Sequence, residues 1–419
     1  MTGTITPSAS STMTPSAAPA VTPTATRGLG YPMYDADQHY YEPRDAFTRY
    51  LPREHSKALR WVTSDDKRTH LLVGGKLFTM ISNPTFDPVA RPGALVDYLK
   101  ARNTSGASGK EIAGKLERIK PEYVDRDARI EVMDAQGVRS ALLLPTISLG
   151  FEELLWDDPA ALAAVMHAGC EWLEDDWGLA RDDRIIAAPM LSLVDPAAAQ
   201  RDLEWSLERG AKAVVLRPGP VKTPQGPRSP GDPAHDRFWA TAAEAGLLIC
   251  YHAADAGYGR YATDWGERSV METFVGSAFV ETLSLHLEKP VFDTMAALIC
   301  HGVFDRHPTL KVAAIELGAG WVPDLLRRLR VSYGKMPKLF GRDPVESFHE
   351  HVWATPFHEQ SMPEVLETMR AERVLFGSDW PHPEGVAAPI DFADEVSMLP
   401  QDVQRRIMAD NMRELLRLP

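Results

Sequence analysis

Asp37 and His39 are the first candidate pair of residues for metal chemistry. They end an extended pattern that begins at Met33, and the period-two alternation of a strand places both side chains on one face. A carboxylate and an imidazole two residues apart at a strand end can bind a divalent metal ion. Taken alone, the pair is equally compatible with a polar strand end that has no functional role.

Two further strand ends carry the same kinds of side chain. The apolar run 247–252 ends in a histidine, and the run 374–379 ends in an aspartate after Gly377, which allows close backbone approach. A lone histidine after a core strand is more often structural, but barrel enzymes hold their active sites where the carboxyl ends of parallel strands meet. We therefore predict that one site contains Asp37, His39, His252 and Asp379.

The ligand types indicate which metals could bind. Two imidazoles with two or three carboxylates form a nitrogen and oxygen set that suits one divalent ion of zinc, manganese or iron. The chain has three cysteines, Cys170, Cys250 and Cys300, whose spacing fits neither a zinc knuckle nor a disulfide framework. The sequence thus predicts one divalent metal ion and a reducing, cytoplasmic setting.

Other polar residues near strand ends are candidates for binding substrate. Arg217 could hold a substrate carboxylate with two hydrogen bonds, or form an ordinary ion pair. His358 and His382 follow the last two strands and could contact substrate, although surface loops also collect histidines. His301 lies inside a helical pattern, which favours a hydrogen-bonded histidine in a packed helix.

The elements that position these residues follow a repeated β/α pattern. Short and mostly continuous apolar runs alternate with helical patterns, which is typical of parallel strands covered on both faces. The eight predicted strands are 33–39, 138–145, 185–193, 211–218, 247–253, 310–316, 351–357 and 373–379. Eight such units favour an α/β fold of the (β/α)8 TIM-barrel class over an open doubly wound sheet, which remains the alternative.

Two segments lie outside this repeat. Residues 1–28 are almost entirely Thr, Ser, Pro and Ala, which predicts a disordered tail before a metal-dependent barrel domain at 29–419. About ninety residues separate the first two strands, far more than a typical βα loop, which predicts an insertion at about 50–125 that covers the active site as a lid. Within it, 70–81 is typical of a hairpin that turns at Gly74 and Gly75, and 103–110 of a mobile loop.

The charge balance limits the classes of partner. The 58 acidic and 45 basic side chains give a net charge of −13, which disfavours nucleic acid and anionic membrane surfaces. The N-terminal segment lacks the pattern of a secretory signal, and no stretch approaches the roughly 18–20 apolar residues of a membrane span. We predict a cytoplasmic protein that acts on a small molecule, and the apolar C-terminal helix at 401–418 could join two copies in a homo-oligomer.

Four segments of the chain resemble a known family. They read DADQHYYEP, LLICYHA, GVFDRHPTLKVAAIELGAGWVP and RVLFGSDWPHPEG, and together they resemble signature blocks of the amidohydrolase-related (amidohydrolase 2) family. This family includes the TIM-barrel enzymes similar to aminocarboxymuconate-semialdehyde decarboxylase. The resemblance implies that Asp37, His39, His252 and Asp379 are metal ligands and that Asp379 also handles protons.

Two positions depart from the family pattern. Asp37 stands where many relatives have a histidine or a glutamate, which keeps an anionic ligand but shortens its reach. Glu316 stands where a histidine followed by glycine is usual; a histidine there can donate a hydrogen bond, whereas an ionised glutamate can only accept one or bind a metal. Glu316 is therefore either an active-site residue or a structural one that pairs with a cation.

The resemblance implies a metal-dependent enzyme, with two candidate reactions. In the preferred reaction, the metal holds and polarises a small carboxylate substrate, which could be aromatic, and the carbon–carbon bond to the carboxyl group breaks. The catalytic residues would be Asp379, Glu316 and His252. In the alternative, a water on the metal loses its proton to Asp379 and attacks an amide, ester or lactone carbonyl. A third interpretation is a barrel that keeps its metal and binds ligands without catalysis.

Overall fold

The computed structural model describes residues 28–100, 106–268, 277–357 and 360–419. Backbone contacts divide the chain into two units, Met1–Tyr31 and Pro32–Pro419, and every described strand and helix belongs to the second. The strands are β1 (Met33–His39), β2 (Leu59–Thr63), β3 (Thr69–Val73), β4 (Lys76–Leu77), β5 (Val138–Leu144), β6 (Ile185–Ala187), β7 (Ala213–Leu216), β8 (Leu248–His252), β9 (Lys311–Ile315) and β10 (Val352–Ala354).

Helices separate most of the parallel strands along the chain. They are α1 (Val96–Leu99), α2 (Gly109–Ala113), α3 (Arg126–Gln136), α4 (Phe151–Leu155), α5 (Pro159–Asp176), α6 (Pro196–Glu208), α7 (Asp236–Ala245), α8 (Gly259–Asp264), α9 (Ala278–Thr282), α10 (Glu288–Cys300), α11 (Val303–Arg306), α12 (Val322–Lys335), α13 (Pro344–His351), α14 (Met362–Leu366), α15 (Ala393–Val396), α16 (Gln401–Arg405) and α17 (Asn411–Leu415). The helix α6 begins after Asp195, whose side chain accepts hydrogen bonds from the amides of Ala197 and Ala198. None of the described helices combines the length and the apolar character that crossing a membrane requires.

Two parallel sheets form the centre of the α/β fold. One has the order β1-β5-β6 and the other the order β10-β9-β8-β7. A parallel bridge between Met190 and Val215 joins the residues after β6 to β7. The seven predicted strands up to 351–357 are confirmed in position, but most of the hydrogen-bonded strands are shorter than the apolar runs. The runs are longer because chain next to the strands, such as Leu191 and Leu247, is buried as well.

The predicted eighth strand at 373–379 is not a regular strand. Residues Ala371–Arg373 form a 3-10 turn, and beyond them isolated parallel bridges join Val374 to Ala354 of β10 and Trp380 to Gln38 of β1. The backbone nitrogen of Ala36 also donates to the oxygen of Phe376 at 2.8 Å. The segment is irregular because the Phe376 amide donates to the oxygen of Ile407 at 3.2 Å and because Asp379 has a left-handed backbone at φ 53°, although the Asp379 amide still donates to the oxygen of Asp37 at 2.8 Å. The segment still lies between the two sheets.

The chain between β1 and β5, where the sequence predicts an insertion, contains a separate three-stranded sheet. The hairpin prediction is confirmed by the pairing of β3 with β4 around Gly74 and Gly75, both at positive φ, but β2, which completes an antiparallel sheet, was not predicted. The loop prediction for 103–110 is wrong at its end, because Ser108 caps α2 in a capping box with Glu111; residues 103–105 lie outside the described part. The amide of Leu95 donates to the oxygen of Pro383 at 2.8 Å, so the insertion contacts the chain that follows Asp379.

The C-terminal helices pack within the chain. A π-helical turn at Arg406–Asp410 connects α16 to α17, and Ile407, Met408 and Met412 are buried. The side chain of Asn411 donates to the oxygen of Val374 at 2.6 Å. The apolar face that the sequence suggested as a contact with a second subunit is therefore covered by this chain itself.

Candidate metal centre

The two residues at the end of β1 are buried and in contact. Asp37 is 2% exposed and His39 is fully buried, and His39 Nε2 lies 3.4 Å from Asp37 Oδ1. The pairing with β5 has an irregular register between Asp35 and Gln38. The predicted contact of the aspartate and histidine is thus present on a strand that is not regular at this point.

His252, at the end of β8, faces His39 across the site. The two Nε2 atoms are 3.2 Å apart. The Nδ1 atoms of the two rings lie 3.0 Å from the carbonyl oxygens of Pro145 and Ala253, respectively. A carbonyl only accepts hydrogen bonds, so each Nδ1 carries a proton that it donates to its carbonyl. Each Nε2 atom is thereby left to face the other ring, which is the position from which both rings could bind one metal ion.

Two carboxylates complete this side of the cluster. Glu316 Oε2 lies 3.1 Å from His252 Nε2, and Asp379 Oδ1 lies 3.5 Å from His39 Nε2. Both residues follow their strands in the left-handed conformation, at φ 54° and 53°. Such backbone is costly for residues other than glycine and occurs preferentially at functional sites. The hydroxyl of Thr355 helps to hold the backbone of Glu316 by accepting a hydrogen bond from its amide at 2.9 Å.

His382 belongs to the same cluster. Its ring stacks on that of His39 at a centroid distance of 3.9 Å, and its Nδ1 atom lies 2.8 Å from Asp379 Oδ1. Its Nε2 atom lies 3.1 Å from the hydroxyl of Thr146. The sequence suggested a substrate contact for His382, and the spacing of three residues from Asp379 is the signal for this closer association. Thr146 follows a core strand and gave no such signal.

Electrostatics within the cluster favour a bound cation. Burial and the charges of Asp379 and Asp37 raise the pKa of Glu316 well above its usual value, and burial and Asp37 do the same to Asp379. Burial would also raise the pKa of Asp37, but interactions with His252 and His39 outweigh it and bring this pKa to about 2. Burial lowers the pKa of His39 well below its usual value. Several carboxylates share one buried space and repel each other when ionised.

The available ligand atoms fit one metal ion. Asp37, His39 and His252 offer ligand atoms within 4.8 Å of one another, and so do His39, Glu316, Asp379 and His382. His39 Nε2 is common to both sets and can bind only one ion. Asp37 Oδ1 and both carboxylate oxygens of Asp379 are buried and make no well-oriented hydrogen bond within the described part of the chain. The closest imidazole nitrogens, His39 Nε2 and His382 Nδ1, approach Asp37 Oδ1 and Asp379 Oδ1 only as ion-pair contacts, at 3.4 and 2.8 Å. Buried oxygens of this kind are otherwise costly, and metal coordination would satisfy them.

Two further predicted residues, Arg217 and His301, have partners outside the cluster. Arg217 is buried, and its guanidinium donates to Glu152 Oε1 at 2.7 Å and to the oxygen of Pro220 at 2.7 Å. These contacts favour the ion-pair interpretation of Arg217 over binding of a substrate. His301 follows α10 instead of lying inside it, and this exposed histidine pairs with the Ser229 hydroxyl through its Nδ1 atom at 2.6 Å. His358 lies outside the described residues.

Carboxylate and imidazole side chains at the carboxyl ends of parallel strands define a class of metal-dependent α/β enzymes. The amidohydrolase family model matches residues 34–418, and the chain belongs to this family. The predicted family resemblance is thereby confirmed.

Individual relatives agree with this assignment. An amidohydrolase from Mycobacterium avium subsp. paratuberculosis K-10 is 41% identical, with a TM-score of 0.87 over 93% of this chain and 98% of the other. The γ-resorcylate decarboxylase of Rhizobium radiobacter is 23% identical over 70% of this chain and 87% of its own length. A dihydroxybenzoic acid decarboxylase from Polaromonas sp. JS666, with bound manganese and 2-nitroresorcinol, has the same fold at 16% identity, with a TM-score of 0.57 over 79% of this chain and 97% of the other.

Proposed function

We propose that this protein is a metal-dependent decarboxylase of a small carboxylate, with aromatic acids as the first class to test. The observation that carries the proposal is the buried cluster around His39, in which the Asp379 carboxylate makes no well-oriented hydrogen bond within the described chain and the Nε2 atoms of His39 and His252 lie 3.2 Å apart. The similarity to γ-resorcylate decarboxylase over 70% of the chain supports decarboxylation as the reaction.

The proposal includes a closed barrel at residues 29–419. The bridges of Met190 to Val215, Val374 to Ala354 and Trp380 to Gln38 support closure, because they connect the two parallel sheets on both sides. The insertion at about 50–125 would act as a lid over the site. The disordered tail predicted for residues 1–28 lies outside the described residues, apart from Gly28. We propose that the enzyme acts in the cytoplasm, with a homo-oligomer as the candidate assembly.

Asp37, His39, His252 and Asp379 would hold one divalent ion, with Glu316 as a further ligand or a contact to substrate. Manganese is the first metal to test because the Polaromonas decarboxylase binds it, and zinc and iron are the other candidates. A divalent ion held there would supply Lewis-acid polarisation of the substrate carboxylate.

The residues of this chain would then bind substrate and move the proton. Decarboxylation breaks the bond between the ring or chain carbon and the carboxyl group, releases carbon dioxide, and leaves an electron pair on carbon that takes up a proton. We assign delivery of that proton to Asp379, and its contact with His382 supports this, because Asp379 Oδ1 lies 2.8 Å from His382 Nδ1 while His382 Nε2 lies 3.1 Å from the Thr146 hydroxyl. We also propose His382 as a contact to substrate.

Isotope labelling tests the reaction class. Turnover of an aromatic acid in D₂O should release carbon dioxide and place one deuterium on the carbon that lost its carboxyl group. Candidate substrates are compared by detection of carbon dioxide first, and the labelled product is then examined by NMR. Carbon dioxide release without deuterium at that carbon would contradict the proposed proton delivery.

Hydrolysis is the second candidate, and the 41% identical structure described as an amidohydrolase favours it. Hydrolysis of an amide, ester or lactone incorporates an oxygen atom from water. Turnover in ¹⁸O-labelled water should then place the label in the product acid, without carbon dioxide. That result would replace decarboxylation as the assigned reaction.

A further inference from the structure

Asp35 makes an unusual set of contacts beneath the cluster. It is fully buried, and its Oδ1 atom accepts hydrogen bonds from the Ser378 amide at 2.9 Å and the Asp37 amide at 3.2 Å. Its Oδ2 atom accepts from the Ser378 hydroxyl at 2.6 Å and from Gln38 Nε2 at 2.9 Å. Both oxygens are therefore saturated by donors, and neither is free to bind a metal or a substrate.

These contacts join two separate parts of the chain. Asp37 lies on β1, and Ser378 immediately precedes Asp379 in the segment that replaces a regular eighth strand. One Asp35 oxygen thus accepts from the amide of one candidate ligand and from the residue next to another. Because Asp379 has a left-handed backbone, its carboxylate direction depends on what fixes the Ser378 peptide.

The network extends from Asp35 to the backbone of His39. Gln38 Oε1 accepts from Arg129 Nη1 at 3.3 Å, and Arg129 Nη2 donates to the oxygen of His39 at 2.7 Å. Arg129 is itself buried, and its guanidinium lies over the ring of Trp380 at 4.6 Å. A continuous set of buried hydrogen bonds therefore holds the backbone at three of the four predicted metal ligands.

We propose that Asp35 is a positioning residue that sets the separation of the Asp37 and Asp379 carboxylates for a divalent ion. The inference rests on the metal binding in the proposed function, but not on the reaction. An asparagine has nearly the same volume but only one acceptor oxygen. If the asparagine oxygen keeps the bonds to the Ser378 and Asp37 amides, its NH₂ group faces Gln38 Nε2, which is also a donor, so the hydrogen bond to Gln38 is lost.

The test compares Asp35→Asn with the wild-type chain by Mn²⁺ affinity, measured by equilibrium dialysis with elemental analysis. We expect binding to weaken by about 10- to 100-fold, the range seen when residues that orient metal ligands are replaced. Asp202→Asn is the matched control, because Asp202 is another largely buried carboxylate, paired with His167 at 2.9 Å. It should lower stability without changing Mn²⁺ affinity, and thermal unfolding of metal-free protein measures stability for each variant.

An affinity of Asp35→Asn within about twofold of the wild type would overturn the proposal, as would equal weakening in Asp202→Asn. If Asp35→Asn does not fold, Ser378→Ala is the alternative, because it keeps the amide contact to Asp35 and removes the hydroxyl that donates to Asp35 Oδ2 and accepts from the Trp380 amide at 3.2 Å. We expect a smaller loss of about three- to tenfold by the same argument. Unchanged affinity in Ser378→Ala would then overturn the proposal. A wild-type protein that binds no Mn²⁺, Zn²⁺ or Fe²⁺ overturns both proposals, whereas one that binds metal without decarboxylating overturns only the function.

Discussion

Asp379 lies where the buried charges of the site are most concentrated. Its carboxylate is within 3.5 Å of His39 Nε2 and within 2.8 Å of His382 Nδ1, and burial and neighbouring carboxylates raise its pKa. It is therefore both a candidate ligand and the candidate proton carrier. A substitution that keeps its shape separates these roles better than a truncation.

Asp379→Asn should lower kcat by at least about 100-fold, the scale of a positioned acid or base. The asparagine keeps the volume and tolerates the left-handed backbone, so the protein should fold. Turnover of an identified substrate is measured together with the metal content of the purified variant. A variant that retains its metal and full activity would rule out Asp379 in both candidate reactions.

The alternation in β1 and the polar ends of two apolar runs were enough to predict the cluster of Asp37, His39, His252 and Asp379. The role of Asp35 was not predicted, although it precedes Asp37 by two residues, because its partner Ser378 is distant in sequence. Arg217 has the residue type for binding a carboxylate, but Glu152 binds its guanidinium. Only the tertiary structure shows which charges are already paired.

At the level of elements, the position of the segment from Val374 to Trp380 against β1 depends on Gly377, which has no side chain. A Cβ atom on Gly377 would lie 2.7 Å from the Cβ of Asp37 and 3.0 Å from a methyl group of Thr355. The atoms it would meet are close to backbone and cannot swing away. Close approach at Gly377, which the sequence predicted, lets this segment lie against β1 near the metal site.

Gly377→Ala should destabilise the protein by about 1–3 kcal/mol, as overpacking does, and should weaken Mn²⁺ binding because Asp37 must move. Gly334→Ala is the matched control, since its Cβ would meet nothing within 4 Å and it lies in α12. That substitution should stabilise slightly, by about 0.5–1 kcal/mol. Chemical denaturation and dialysis against Mn²⁺ measure the two effects, and equal behaviour of the two variants would contradict the close contact.

The order of elements was predictable because parallel strands covered on both faces leave continuous apolar runs. The exact ends of the strands were harder to predict, because buried residues next to the strands, such as Leu191 and Leu247, are also apolar. Two elements could not be predicted from apolar periodicity: the irregular segment after Arg373 and the strand β2. The left-handed backbone of Asp379 and the exposed positions of β2, such as Arg60, leave no periodic pattern in the sequence.

For the whole molecule, the site links metal binding to folding. Ionised Asp37, Glu316 and Asp379 repel one another in a buried space, and a bound cation would offset this repulsion only in the folded state. The free energy of unfolding should therefore depend on the metal concentration. The contribution increases with the ratio of free metal to its dissociation constant.

Removal of metal by a chelator should lower Tm by about 3 °C or more, since saturation at a hundred times Kd contributes about 2.7 kcal/mol. Added Mn²⁺ should restore the original value. His252→Ala serves as the control, because a variant without this ligand should show little difference between the two conditions. A wild-type Tm that stays constant after elemental analysis has verified removal of the metal would contradict the coupling.

The left-handed backbone at Glu316 also bears on how this site can change during evolution. Histidine, asparagine and aspartate adopt that conformation more readily than glutamate does. The histidine that the family resemblance implies for this position would therefore fit the existing backbone at a lower conformational cost. An exchange between the two residues changes the charge and the hydrogen-bonding capacity of the site without requiring the loop to be rebuilt, so the chemistry can diverge while the scaffold stays the same.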